Sequence, residues 1–175
     1  MLSGSKEGNV DTSNFGALSR GQTTSMTTLS LEMLAKKAPD VSFIHNFPGF
    51  VRTNLIRGGE GALIRVMGLV SRVVMPFVAI SNEECGERHT FLATSARYPP
   101  GSNGDANSGV PLEGDITVSR GTNGKVGSGV YSIDADGESA DHKKEAILAK
   151  LRKDGVQDAV WKHVQGEFSR ITTQR

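Results

Sequence analysis

A run of β-forming residues that ends in a proline–glycine pair constrains the fold of this chain most. Residues 41–47 carry apolar and β-branched side chains on both faces, a pattern typical of a buried parallel strand in an α/β sheet. Pro48 cannot continue a central strand, and Gly49 lets the backbone pass close to a neighbour or a ligand. Because ligands of open α/β sheets bind beyond the carboxyl ends of the strands, residues 50–53 are expected beside a ligand.

The spacing of apolar residues predicts helices both before and after this strand in the sequence. Residues 23–38 place Met26 and Leu29 on one apolar face and end before Pro39. Residues 82–98 form a second predicted helix, with Ser81 or Asn82 as its N-cap. The tail over residues 140–175 is predicted to be helical and interrupted at Gly155, and a second strand is predicted over 127–134, with a short edge strand over 115–119.

Three stretches have other characters. Residues 57–61 read as a flexible joint, and residues 62–81 as a helix with a buried side, because Arg65 and Arg72 argue against a membrane span. Residues 101–126 are dominated by glycine and polar residues and are predicted to form a mobile loop within a single domain, 1–175.

Composition excludes several function classes. Among 175 residues the net charge is +1, which gives no reason to expect nucleic acid or an anionic membrane as a partner. One cysteine, Cys85, rules out an internal disulfide and fits a reducing compartment, so we expect a cytoplasmic protein. The group Cys85, Glu87 and His89 lacks the spacing of a metal site, and Cys85 reads as a packed thiol rather than as a nucleophile paired with His89.

The turn Pro48-Gly49-x-Val51-x-Thr53 resembles the loop that follows the sixth strand of short-chain dehydrogenase/reductases. Residues 84–89 and 91–95 are similar to fungal members of that family. The resemblance implies a partial Rossmann-like (doubly wound) parallel sheet with flanking helices and a helical C-terminal segment. It also implies that Pro48, Gly49, Val51 and Thr53 bind the nicotinamide half of NADP or NAD. The chain would correspond to the C-terminal half of the family.

The catalytic groups of the family are largely missing. The resemblance implies a catalytic serine at Ser3 or Ser5, although from the residues alone Ser3 reads as part of a mobile glycine-rich tail. The usual register places Phe15 and Ser19 where the family has its Tyr-x-x-x-Lys, and no such motif occurs in the chain. Phenylalanine cannot donate a proton and serine cannot supply a cation. A glycine-rich phosphate loop is also missing.

Three functions remain open. The first is an oxidoreductase of fungal secondary metabolism that acts on an apolar ketone or alcohol but is weak or inactive alone. The second is a cofactor-independent isomerase or cyclase that uses His45, Ser3 and Arg52. The third is a non-catalytic partner of a full-length relative. The expected partners are a small apolar molecule and either a second copy of the chain or that relative, which would cover the apolar stripes that a small sheet leaves open.

Overall fold

The structure, a computed structural model, describes residues 3–16, 19–52, 79–101 and 109–173. The chain is α/β, and its fold is that of a partial Rossmann-like unit with flanking helices, as predicted. In chain order the described elements are α1 (Arg20–Lys37), β1 (Phe43–Asn46), α2 (Asn82–Thr94), β2 (Val130–Ile133), α3 (His142–Lys153) and α4 (Val156–Thr173).

The two strands are parallel, which confirms the reading of residues 41–47. Phe43 pairs with Val130 and Asn46 with Ile133, so the carboxyl ends of β1 and β2 lie at one edge of the sheet. The ladder continues one residue further, since the Phe47 amide donates to the Ile133 carbonyl at 2.9 Å. Pro48 then ends the pairing because it has no N–H to donate.

Helices cover both faces of this sheet. On one face His45 bonds to Thr28 of α1, and a core of apolar side chains joins α1 to α3 and α4. On the other face Ile44 and Leu92 of α2 pack against a cluster formed by Tyr98, Tyr131 and Ile133. Because successive strand residues point to opposite faces, these contacts place α1 and α2 on opposite sides. The apolar core that joins α1 to α3 and α4 contains Leu29, Leu148, Leu151, Val156 and Val160.

Local signals explain where the helices begin and end. Ser81 caps α2 by accepting from the Glu84 amide at 3.0 Å, as the sequence predicts. Gly155 (φ 73°) separates α3 from α4, because its positive φ breaks the helix where the predicted tail is interrupted. The α2 helix ends at Thr94, four residues before the predicted end, since the backbone turns extended at Ser95.

The expected edge strand over residues 115–119 is wrong. Within the described residues no ladder forms there, because the Ser119 amide bonds to Arg97 and the Ser119 carbonyl accepts from Gly127 in separate single contacts. The same contacts tie part of the predicted mobile loop, residues 109–126, to the rest of the fold. Mobility of 101–126 stays a prediction.

Some expectations lie outside the described residues. These are the role of Thr53, the joint over 57–61 and the helix over 62–81. Among the helices in the described ranges, none is long and apolar enough to cross a membrane.

Candidate functional site

A cleft of about 440 Å³ opens at the carboxyl edge of the sheet, between the strand ends, α2 and the loop that follows β2. Its position is the one that open α/β sheets use for ligands. The cleft has apolar walls contributed by Phe47, Pro48, Phe91, Leu92 and Ile133. Pro48 therefore lies where the sequence places a ligand-binding residue.

The proline–glycine turn is held from two directions. Gly49 has a φ of 80°, and a Cβ added there would lie 3.2 Å from the Cβ of Ala135, so glycine is required both by the backbone and by the close approach. Val51 forms a parallel bridge with Ile80, and the Ile80 amide donates to the Phe50 carbonyl at 2.8 Å. Gly49 and Val51 shape the turn but do not line the cleft. Of the residues predicted to bind the cofactor, Pro48 alone lines it within the described part of the chain.

Two ion pairs lie at the margin of the cleft. Arg88 bonds to Glu84 at 2.7 Å, and it also donates to the Ala135 carbonyl at 2.7 Å, which ties α2 to the loop after β2. Arg97 bonds to Glu138 at 2.6 Å. The walls are mainly apolar, but the margin is negatively charged, because two further carboxylates also line the cleft. These belong to Glu87 and Asp136.

A further ion pair lies at the edge of the cleft that faces the N-terminal segment. Lys6 bonds to Asp134 at 2.7 Å, and its ammonium group also lies 5.1 Å from the centre of the Phe47 ring. Burial acts to raise the pKa of Asp134, but the hydrogen bonds from Lys6 and from the Ala135 amide outweigh it and lower the pKa.

His89 and Asn46 are neutral polar groups of the cleft that face each other. The Nδ1 atom of His89 lies 2.7 Å from the Cys85 carbonyl oxygen, which can only accept, so Nδ1 carries the proton. In the neutral imidazole Nε2 is then an acceptor, and the Nδ2 amide of Asn46 lies 3.3 Å from it. The strand end and the helix thus meet through one long hydrogen bond.

The same hydrogen bond of His89 shows whether Cys85 can act as a nucleophile. Its thiol lies 3.6 Å from Nδ1 of His89, but that nitrogen donates its proton to the Cys85 carbonyl. It cannot also take the thiol proton, so the pair is not arranged for nucleophilic catalysis. No group of metal ligands occurs in the described part of the chain.

A second polar cluster is buried on the α1 face of the sheet. Oε1 of Glu7 accepts hydrogen bonds from the hydroxyl groups of Thr28, at 2.9 Å, and of Ser132. Thr28 has one hydroxyl proton, which goes to the carboxylate, so its oxygen accepts from Nδ1–H of His45 at 2.9 Å. Burial lowers the pKa of His45, while the charge of Glu7 opposes that effect. His45 is therefore a neutral structural histidine.

Ser3 and Ser5 join this cluster rather than the cleft. Ser3 is 2% exposed and shares a hydrogen bond of 2.7 Å with Thr24 of α1, and the Ser5 amide donates to Ser132 at 2.7 Å. A Cβ added to Gly4 would lie 1.9 Å from the His45 carbonyl oxygen, which shows how closely this segment crosses the strand ends. Ser3 is thus ordered against α1, contrary to its reading as a mobile tail residue. A catalytic role for it stays a prediction.

The two tyrosines of the chain are both engaged with backbone carbonyls. The Tyr98 hydroxyl donates to Gly137 at 2.9 Å and the Tyr131 hydroxyl to Pro99 at 2.6 Å. Burial raises the pKa of both phenols, that of Tyr131 to about 12. Neither hydroxyl is therefore presented to a ligand as a proton donor.

The residues at the expected tyrosine and lysine positions have structural roles. Phe15 stacks on His163 of α4, with ring centres 4.7 Å apart, and it packs against the core on the α1 face. Ser19 is the N-cap of α1 and accepts from the Gln22 amide at 3.3 Å. Both therefore lie in the packing of α1.

The described residues fit the nicotinamide end of a dinucleotide better than its diphosphate. Pro48 borders a cleft of suitable size, but the first turn of α1 has no glycine-rich cradle before it. A Cβ on Gly21 of that turn would lie 3.1 Å from the Cα of Gly8, so the chain itself packs closely where a phosphate would need room.

Sequence reasoning missed the pairing of His89 with Asn46 and the burial of Glu7. Residues 46 and 89 are 43 positions apart, and no local pattern joins them. For Glu7 a weak signal exists, since it is a charged residue within a glycine- and serine-rich stretch that otherwise resembles a solvated loop.

Comparison with known proteins relates the chain to fungal oxidoreductases. It is 38% identical over 143 residues to an oxidoreductase of Emericella nidulans, covering 80% of this chain and 41% of that protein. It is 34% identical over 146 residues to an NmrA-like family domain-containing oxidoreductase of an Aspergillus species, covering 82% and 37%. A short-chain dehydrogenase/reductase of Stachybotrys chartarum is 32% identical over 151 residues, with 82% and 39% covered.

The chain thus spans about two fifths of the length of the curated relatives that it matches. No protein-family model matches it, and no solved structure does. Its relationship to oxidoreductases therefore rests on the curated relatives.

Proposed function

We propose that this chain carries the substrate side of an NAD(P)-dependent oxidoreductase of the short-chain dehydrogenase/reductase type, and that it acts on an apolar ketone or alcohol of fungal secondary metabolism. The observation that carries the proposal is the proline–glycine turn at the border of a mainly apolar cleft, at the carboxyl edge of a parallel sheet. The relationship to fungal oxidoreductases supports the same reaction class.

In this proposal the turn and the cleft have separate tasks. Pro48, with Gly49 and Val51 holding the turn in shape, borders the nicotinamide ring, and Thr53 follows them in the sequence. The apolar walls take the body of the substrate and exclude water from it. The cofactor, when bound, supplies the hydride that ketone reduction requires.

Alone, the chain is proposed to be weak or inactive as a reductase. Affinity for dinucleotides comes largely from diphosphate and ribose contacts at a helix N-terminus, and the described residues supply no such cradle. Both phenol hydroxyls are engaged with carbonyls, so neither tyrosine replaces the missing proton donor. Loss of general acid catalysis typically costs about 10²–10⁴-fold in rate.

Titration of the purified chain with NADPH and NADH, followed by nicotinamide fluorescence, tests the proposal. We expect binding much weaker than micromolar, and a further loss in Gly49→Val, because a β-branched residue is strained at a φ of 80°. Gly86→Ala is the matched control, since a Cβ there meets nothing within 4 Å. Micromolar NADPH binding with ketone turnover would refute the statement that the chain is inactive alone. Equal cofactor affinity in Gly49→Val and the native chain would refute the role of the turn.

A cofactor-independent isomerase or cyclase is a second candidate, favoured by one observation. Nδ1 of His89 is held by the Cys85 carbonyl, which leaves Nε2 toward the cleft, and an imidazole can move a proton without a cofactor. His45 and Ser3, which the sequence suggested for this role, are buried on the other face of the sheet. Isomerisation of an apolar enone by the chain without any nucleotide would select this candidate.

A further inference from the structure

We propose that His89 and Asn46 form an oxygen-binding pair that makes the cleft select neutral, mainly apolar alcohols and ketones over hydrocarbons of the same shape. The proposal rests on the proposed function for the kind of ligand, but it assigns the recognition of the ligand's oxygen to two residues for which the family resemblance implies no role.

The first step is the chemistry of the pair. His89 presents an acceptor, Nε2, because its Nδ1 proton is held by the Cys85 carbonyl. Asn46 presents donors, because its Nδ2 group is the one that faces the imidazole. A hydroxyl group is both donor and acceptor, so one ligand hydroxyl satisfies both residues at once.

The second step is the strength of the contact that the ligand would replace. The Nδ2–Nε2 distance is 3.3 Å, which is longer than ordinary N–H hydrogen bonds of about 2.7–3.2 Å. An oxygen atom about 2.9 Å from each nitrogen makes two shorter bonds in its place.

A ketone uses the same pair in a different way. Its oxygen only accepts, so it takes a hydrogen bond from one N–H of the Asn46 amide, while the second N–H keeps its bond to Nε2 of His89. The pair therefore accepts both members of an alcohol–ketone couple.

The third step concerns the residues around the pair, which limit the charge and the size of a ligand that fits the cleft. The cleft walls are mainly apolar, and Arg88 and Arg97 are each paired with a carboxylate. An anionic ligand would have to displace a carboxylate from one of these arginines, whereas a neutral ligand leaves both pairs intact. A cleft of about 440 Å³ has room for a ligand of two or three rings.

Position also makes the pair accessible without unfolding. Asn46, at the end of β1, is only 7% exposed but lines the cleft, and His89 lines the same cleft from α2, none of whose residues is buried. The imidazole is thus held by its own helix, through Cys85, and needs no other contact to keep its orientation.

The test uses three bicyclic probes with the full chain: tetralin, α-tetralol and α-tetralone. Their ring systems are alike, so the oxygen is the variable. We expect α-tetralol and α-tetralone to bind about fivefold to tenfold more tightly than tetralin, as one net hydrogen bond provides. His89→Phe should remove the preference for α-tetralol over tetralin, because phenylalanine offers no acceptor for the hydroxyl proton. Phe91→Ala is the matched control, because it removes an apolar wall and should weaken all three probes alike.

A spectroscopic measurement on the native chain makes the result independent of any variant. Long-range proton–nitrogen NMR spectra report which imidazole nitrogen carries the proton. We expect His89 as the Nδ1–H tautomer, with a shift of the Nε2 signal and of the Asn46 side-chain amide when α-tetralol is added. Equal affinity for the three probes, no binding by any of them, or a proton on Nε2 in the free chain would each overturn the proposal.

The outcome separates this inference from the proposed function. The chain could prefer the oxygenated probes while Gly49→Val leaves cofactor affinity unchanged. That result would support the oxygen-binding pair and refute the role of the turn in the oxidoreductase proposal. Cofactor binding that depends on Gly49, without any preference among the probes, does the reverse.

Discussion

Alkaline titration of the two tyrosines tests the packing of the cleft face most directly. The chain contains two tyrosines, Tyr98 and Tyr131, so every phenolate that forms can be assigned. Burial raises the pKa of Tyr131 from its ordinary value of 10 to about 12 and also raises that of Tyr98. In the folded chain we therefore expect neither phenol to ionise near pH 10.

The magnitude for Tyr131 follows from linkage. Between pH 10 and about 12 the unfolded chain releases the phenol proton while the folded chain keeps it. Stability from this group is fully present below pH 10 and is lost as the pH rises toward 12. Two pH units at about 1.4 kcal/mol each correspond to a loss of about 3 kcal/mol over that range.

The assay is phenolate absorbance recorded together with far-ultraviolet circular dichroism. In urea we expect both phenols to titrate near pH 10, and in buffer a later step that coincides with loss of helical signal. Tyr131→Phe should remove half of the absorbance change. At neutral pH it should cost about 1–2 kcal/mol, because the Pro99 carbonyl loses its donor. A phenol that ionises near pH 10 while the circular dichroism is unchanged would refute the burial argument.

Four further outcomes follow from the packing of the fold. Gly4→Ala should destabilise the chain by more than about 3 kcal/mol in urea unfolding, because its Cβ would meet backbone at 1.9 Å. Gly86→Ala, with open space around it, should instead stabilise α2 by up to about 1 kcal/mol in the same measurement. Below pH 6.5 the unfolded chain protonates His45 while the folded chain resists, so stability should fall by up to about 1.4 kcal/mol per pH unit, and His45→Gln should flatten that slope. Leu29→Ala, at a fully buried site, should cost about 2–5 kcal/mol of unfolding free energy, whereas Leu34→Ala on the same helix, 38% exposed, should cost less than about 1 kcal/mol; equal costs would contradict the assigned core face.

Features that depend on neighbouring residues could be read from the sequence. The β1 pattern, the cap at Ser81 and the break at Gly155 each act within a few residues, so periodicity and capping rules locate them. The wrong prediction of a strand over 115–119 shows the limit of such rules. A short β-forming run becomes a strand only when another strand lies beside it, and here single contacts take its place.

The site itself was predictable only in part. Pro48 borders the cleft at the carboxyl edge of the sheet, and that position follows from the end of a parallel strand wherever the strand lies, whereas binding of a ligand there stays a prediction. The pairing of His89 with Asn46 was not predictable, since it depends on how α2 crosses the strand end. Likewise the burial of Ser3 depends on α1, whose Thr24 provides its hydrogen-bond partner 21 residues away.

The sequence alone indicates the order of the described helices and of β1 and β2, the turn at Pro48 and Gly49, and the lack of a Tyr-x-x-x-Lys pair. These are properties of residue type and local spacing. Tertiary structure decided which polar groups meet: Glu7 reaches Ser132 across 125 positions, and the imidazoles of His45 and His89 lie on opposite faces of one sheet. The physical reason is that a side chain's partners depend on the approach of elements far apart in the chain, and packing of whole helices against the sheet sets that approach.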